Sequence, residues 1–350
     1  MMQKPVSGPH LPGANAVGKI MRQVIWALAP AIGWGIFLFG WPALWLILTT
    51  VVASLIFEAI CLKLRGLPVA TFLYDGSAVL TGLLVAMSLP PWAPWWIGVL
   101  GAALAILLGK QVYGGLGQNV FNPAMLARVA LLIAFPIEMT EWVNVQPLFF
   151  GASFLESFNI SFGGHLPDAV TGATTLGAVK TGFSSNLSLN SILVDYSVFL
   201  ALIGWERGSL GEISSLLLLL GGLRLIRQGV IQWYAPASLL GSILVLSLLF
   251  HLVDSQHYLS PWAEINAGAL ILVAFFIATD YVTSPNTPIG QIIFGVGCGV
   301  LIFVIRTWGS YPEGTGFAIL LMNACTPLID HYIRPRIYGR YRNGKPIDIA

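Results

Sequence analysis

Long apolar runs, broken at short intervals by glycine, proline and clustered charge, dominate the pattern of this chain. A helix needs about 20 mainly apolar residues to cross a bilayer core. The runs predict spans near 24–40, 42–62, 77–91, 95–112 and 124–137, and a second set near 212–226, 236–253, 264–281, 288–305 and 316–330. Several are shorter than a comfortable span, which predicts broken, tilted or half-buried helices. The expectation is an all-α polytopic membrane protein with about ten transmembrane helices. Residues 138–211 separate the two sets and hold no convincing span; Gly, Ser, Asn and Thr are common between 151 and 190. A loop of that length is usually functional or disordered. The pattern divides the chain into a leading segment 1–23, a first membrane repeat 24–137, the loop region 138–211, a second membrane repeat 212–330 and a tail 331–350.

Composition narrows the class further. Only 9% of the 350 residues are charged while 56% are hydrophobic, and mean hydropathy is +0.80. A soluble domain carries roughly 25% charged residues, and a globule this apolar could not cover its own surface. A soluble enzyme, a disordered chain and a nucleic-acid binder with a basic face are excluded. The three cysteines, Cys61, Cys298 and Cys325, sit in apolar runs without a C-x-x-C pair. They are too few and too scattered for zinc or an iron–sulfur cluster and are expected to be buried and inert. No metal site is expected from His251 and His257, which lie near a predicted outer span end. The polar start up to Arg22 lacks the short hydrophobic core of a cleaved signal peptide.

Charge sets the orientation. With the N-terminus in the cytoplasm, Lys4, Lys19, Arg22, Lys63, Arg65, Lys110, Arg224, Arg227, Arg334, Arg336, Arg340, Arg342 and Lys345 fall on the inner side. Only Lys180, Arg207 and Arg306 fall outside, and Arg128 lies within a span near its inner end. Basic residues retained on the cytoplasmic side therefore predict both termini inside and residues 138–211 outside. A shift of 194 residues also aligns Pro91 with Pro285, Pro94 with Pro288, Gly101 with Gly295, Gly115 with Gly309, Ala124 with Ala318 and Leu126 with Leu320. Two repeats of five spans must have opposite topology, and inverted repeats place interrupted helices where a site can be built. The P-x-x-P breaks at 91–94 and 285–288 are the candidates.

Two motifs could carry chemistry. In the outer region, Asp168-Ala169-Val170-Thr171-Gly172-Ala173-Thr174-Thr175 is a small-residue turn that leaves hydroxyls and backbone amides approachable. A polar surface turn would read the same way. On the inner side, residues 109–124 form a Gly-rich break carrying Asn119 and Asn122. Such a break is either a tight inter-helix turn or non-helical backbone buried by protein or by a wet cavity. Glu58, Lys110, Arg128 and Asp280 lie in or at the ends of spans. Intramembrane ionisable groups are expensive and often functional, so Glu58 and Asp280 mark either a cation path or groups held at interfaces and in ion pairs.

The D-x-x-T-G-A-T string resembles the flavinylation motif D-x-x-[ST]-G-A-[ST], in which the last hydroxyl is joined to FMN through a phosphoester. The resemblance implies Thr174 as acceptor, with Asp168, Thr171, Gly172 and Ala173 as recognition elements and Thr175 unmodified. An exposed, unhindered hydroxyl is expected at Thr174. The stretch from Gly109 to Ala124, with Thr81-Gly82-Leu83-Leu84 and Leu89-Pro90-Pro91, resembles the family that joins the B subunit of the sodium-pumping NADH:quinone reductase to the D subunit of the Rnf complex. The short segment before the first span resembles the Rnf branch. The resemblance covers about residues 20 to 335.

It implies a bacterial inner-membrane subunit of an ion-translocating oxidoreductase, not catalytic alone. The subunit would carry covalent FMN on the periplasmic side and relay electrons between other Rnf subunits, in NADH- and ferredoxin-linked transport coupled to sodium ions or protons. A separate flavin transferase would attach the FMN, and related subunits also hold non-covalent riboflavin. The rival readings are the quinone-reductase B subunit, a scaffold that has lost its flavin, and a solute channel, since the inverted repeat resembles urea-channel architecture.

Overall fold

The computed structural model describes residues 16–163, 171–185, 187–193 and 196–334. Helices are its main element, as they must be where no water is available to satisfy backbone N–H and C=O groups. The first helix, Ala16–Leu64, has 49 residues. Unbroken, it would run about 73 Å at 1.5 Å per residue, more than twice the ~30 Å of a bilayer core. It breaks at Gly40, whose φ of 74° and ψ of −163° are non-helical, and Pro42 starts the second half. The break falls between the two spans that the sequence predicts. The carbonyls it frees find donors elsewhere: Leu148 N–H donates to Phe37 O at 2.8 Å, Gln146 N–H to Leu38 O at 3.0 Å, and the Trp92 indole to Phe39 O at 2.8 Å.

The remaining apolar segments form helices of very unequal length. By length and composition, three helices among the described residues could cross a membrane: Val17–Leu64, Tyr234–Val253 and Pro288–Trp308. The predicted 77–91, 95–112 and 124–137 emerge as the shorter apolar helices Ser77–Met87, Trp95–Gln111 and Pro123–Ala134. Prolines explain the first shortening, because Pro90 and Pro91 cannot continue the ladder. The predicted 212–226 and 316–330 become Ser215–Arg227 and Thr315–Tyr332. The predicted 264–281 departs most. It is divided into Pro261–Asn266, Leu270–Leu272 and a π-helical turn, Val273–Ile277. A second π-helical stretch, Leu104–Gln111, ends the helix that begins at Trp95.

One hydrophobic core runs through both halves of the chain, joining Leu28, Phe39, Leu84 and Met125 to Leu239, Phe276, Phe294 and Ile319. Outward faces remain apolar: Val245, Leu248, Leu249, Leu252 and Val253 are exposed along Tyr234–Val253, a surface suited to lipid. Cys298 is buried, but Cys61 is only partly covered and Cys325 is exposed, which corrects the expectation of three buried thiols. Cys325 lies on the outward face of Thr315–Tyr332, where protein does not reach.

Buried charge is paired. Lys110 Nζ donates to Glu58 Oε1 at 2.8 Å and to Ser77 Oγ at 2.7 Å. Arg306 binds Glu264 Oε1 at 2.9 Å and Ala267 O at 2.8 Å, and Arg128 bonds to Glu313 and to the carbonyl of Ser88. Of the alternatives for Glu58, the ion pair is the one observed. Asp280 instead accepts hydrogen bonds from Thr283 Oγ1 at 3.2 Å and Asn122 Nδ2 at 3.4 Å.

Candidate functional site

The described residues between 138 and 211 fold into local structure. Trp142–Val143 pairs antiparallel with Thr171–Gly172, Trp142 opposite Gly172 and Val143 opposite Thr171. That pairing draws the T-G-A-T string against the loop containing Asn144. Thr174 follows with extended backbone (φ −67°, ψ 164°) and is the N-cap of the helix Thr175–Ser184. Its Oγ1 accepts the Gly177 N–H at 3.1 Å, the bond for which Ser and Thr are favoured at this position. Leu176 and Val179 pack the helix against Leu189, Leu259, Ala263 and Ala267. Lys180 Nζ donates to Tyr311 O at 2.7 Å, tying the helix to the turn after Pro288–Trp308. The N-terminus of this helix is therefore held on a fixed base.

Thr174 is only 8% exposed, which corrects the expectation of an unhindered hydroxyl: the capping bond and the packed helix cover it. It nevertheless lines a cavity of about 450 Å³, with Ala173, Thr175, Asn144, Tyr196, Trp205, Glu206 and Arg207 among its neighbours. That volume lies within the roughly 300–1,000 Å³ usual for cofactor sites. Thr175 Oγ1 donates to Glu206 Oε2 at 2.9 Å. Burial pushes the Glu206 carboxyl above its usual range, and the Thr175 bond only partly offsets this. The Tyr196 hydroxyl is buried and has no hydrogen-bond partner among the described residues. Its pKa is raised by burial first and by the charge of Glu206 second.

Of the sequence candidates, Gly172, Ala173 and Thr174 thus meet at one place, and Thr171 contributes backbone to the strand pair. Asp168 lies outside the described residues. Sequence reasoning missed Asn144, Tyr196, Trp205 and Glu206, and treated Arg207 only as an outer basic residue. The available signal was Trp205-Glu206-Arg207, two adjacent opposite charges after an aromatic in an otherwise small and polar region. Among the described residues no group of three or more His, Cys, Asp or Glu side chains could hold a metal.

The Gly-rich break at residues 109–124 has a different character. Asn122 caps Pro123–Ala134, its Oδ1 accepting from Ala124 N at 3.1 Å and Met125 N at 3.2 Å. Its own N–H donates to Asn323 Oδ1 at 3.1 Å, which joins the two halves of the chain. Asn119 Nδ2 donates to Phe121 O at 3.0 Å. Behind this break lies a cavity of about 100 Å³, with Thr81, Asn119, Asn122, Asp280, Phe275 and Phe276 in its wall.

Comparison with known proteins agrees with the motifs. A model of the NQR2, RnfD, RnfE family matches residues 5–339. The chain is 53% identical to the D subunit of the ion-translocating oxidoreductase complex of Halorhodospira halophila, over 99% of this chain and 98% of that protein. The protein of the same name from Stutzerimonas stutzeri is 50% identical over 96% of each chain. That of Rhodobacter capsulatus is 45% identical over 90% of this chain and 88% of its own. With a family match along nearly its whole length and relatives this similar end to end, the chain belongs to the NQR2, RnfD, RnfE family.

Proposed function

We propose that this protein is the D subunit of an Rnf-type ion-translocating oxidoreductase and carries FMN in phosphoester linkage on Thr174. One observation carries the cofactor assignment. The acceptor of the flavinylation motif caps a helix at the wall of a cofactor-sized cavity, which also holds a buried Tyr196 hydroxyl with no partner among the described residues. A phosphate ester at that hydroxyl would sit at the positive end of a helix dipole. Bound FMN supplies one- or two-electron exchange. The chain's own part is to fix the phosphate end, to wall the ring with Tyr196 and Trp205, and to limit water on the Thr174 side. Electrons would pass to and from neighbouring subunits in NADH- and ferredoxin-linked transport coupled to sodium ions or protons. The cavity behind the Gly-rich break, at about 100 Å³, is too small for the non-covalent riboflavin that the resemblance adds.

The membrane arrangement belongs to the same proposal: ten segments in two inverted repeats, both termini in the cytoplasm and the flavin on the periplasmic face of the inner membrane. Several contacts support it. Segments expected outside meet one another, as Gln146 does Leu38, Lys180 does Tyr311 and Phe183 does His257. Segments expected inside do likewise, through Arg65 and Gln111 and through Asn286 and Asp330. The 194-residue shift carries Trp95–Gln111 onto Pro288–Trp308 and Pro123–Ala134 onto Thr315–Tyr332 to within a few residues at either end. Peptide mass tests the cofactor. Coexpression with an active flavin transferase is expected to add one FMN to the fragment ending at Lys180, and an unmodified fragment under those conditions would reject the assignment.

A further inference from the structure

The motif glycine has a neighbour that explains it. A Cβ placed on Gly172 would collide with Nη1, Cζ and Nε of Arg207, so no side chain fits there while that guanidinium is in place. The same guanidinium is held from a second direction, because Arg207 Nε donates to Asn144 Oδ1. Asn144 directly follows the strand paired with Thr171–Gly172. Arg207 is exposed, yet two contacts pin it against the motif strand, and it lines the same cavity as Thr174. Among the described residues it has no carboxylate within ion-pair distance. The adjacent Glu206 directs Oε2 to Thr175 instead. An oriented cation with no counter-ion among the described residues thus faces the cavity.

Charge accounting gives that cation a purpose. A phosphate esterified both to a threonine and to a flavin side chain keeps one negative charge. The first N–H groups of a helix lack intrahelical acceptors and favour an anion. A guanidinium adds a planar fork of donors that matches phosphate oxygens. We propose that Arg207 is a positioning residue for the cofactor on Thr174: its guanidinium neutralises the phosphodiester and holds it at the N-terminus of Thr175–Ser184. Gly172 is then required by the motif because it makes room for this guanidinium. The inference rests on the flavin reading above.

The test uses the full chain coexpressed with an active flavin transferase, comparing wild type, Arg207→Gln, Arg207→Lys and Gly172→Ala. Thr174→Val serves to subtract any non-covalent flavin. Covalent flavin per chain is read after denaturation, and rotational freedom of the flavin by fluorescence anisotropy decay in the folded protein. Arg207→Gln is expected either to load severalfold less flavin or to hold it with severalfold faster local depolarisation. Arg207→Lys should recover much of the loss, and Gly172→Ala should resemble Arg207→Gln. Wild-type loading and anisotropy in Arg207→Gln would overturn the proposal. So would a lysine variant no better than the glutamine variant, since the effect would then lie in packing and not in charge. A wild-type chain without covalent flavin would instead reject the flavin reading itself, a result distinct from either.

Discussion

The two polar breaks in this apolar chain solve opposite problems. At the break over residues 109–124, polar groups are used largely on one another, although Glu58 Oε2 is buried without a partner among the described residues. Lys110 bridges Glu58 and Ser77, and Asn122 caps one helix while tying it to Asn323 of another. At the break over residues 138–211, polar groups surround space: Tyr196 has a buried hydroxyl without a partner among the described residues, and Arg207 faces the cavity without a counter-ion among them. The first network is organised as a joint between elements, the second as a receptacle. A substitution at the first should therefore be felt mainly as lost stability, and at the second mainly as lost cofactor.

The inner ion pair offers the largest effect. Removing one partner of a buried pair leaves an uncompensated charge and costs about 3–5 kcal/mol. Lys110→Met is expected to lower the unfolding temperature in detergent sharply, and Glu58→Leu combined with it should recover most of the loss. Additive loss in the double variant would break the comparison. Asn122→Ala comes next, at about 1–2 kcal/mol for the lost cap, with faster hydrogen exchange along Pro123–Ala134 as its signature. Thr174→Val removes a cap as well, so Thr175–Ser184 should weaken by about 1 kcal/mol. Thr174→Ser should keep both the cap and the flavin.

The smallest effect is one of pH. Burial raises the Glu206 carboxyl in the folded protein, so the folded state binds its proton more tightly than the unfolded chain does. The stability from this group is fully present below the unfolded value of about 4.3 and is lost as pH rises through the higher folded value. Proteolytic nicking near Thr175–Ser184 should therefore increase from about pH 4 upward in wild type. In Glu206→Gln that dependence should be absent, and an unchanged slope would remove Glu206 as its source.

Much of the fold is legible in the sequence, for definable reasons. Apolar runs and prolines locate the helices because backbone satisfaction in lipid leaves few options, and the interruption at Gly40 falls between two predicted spans. The division of 264–281 is not legible in the apolar pattern, because it falls at a single glycine, Gly268, whose φ of 71° breaks the helix inside a largely apolar run. At the site, the motif finds Thr174 but not its burial, because capping geometry depends on the helix that follows. Arg207 and Asn144 are out of reach for another reason: Asn144 comes to Gly172 through a strand pair of two residues on each side, too short to leave a pattern, and Arg207 reaches both only through its side chain from later in the chain.

The central claim is that Thr174 bears a covalent flavin, and ultraviolet fluorescence of the denatured chain in a gel tests it most directly. With an active flavin transferase present, wild type and Thr174→Ser should give a fluorescent band and Thr174→Val a dark one. A dark wild-type band, beside a known covalent flavoprotein fluorescing from the same cells, would contradict the account.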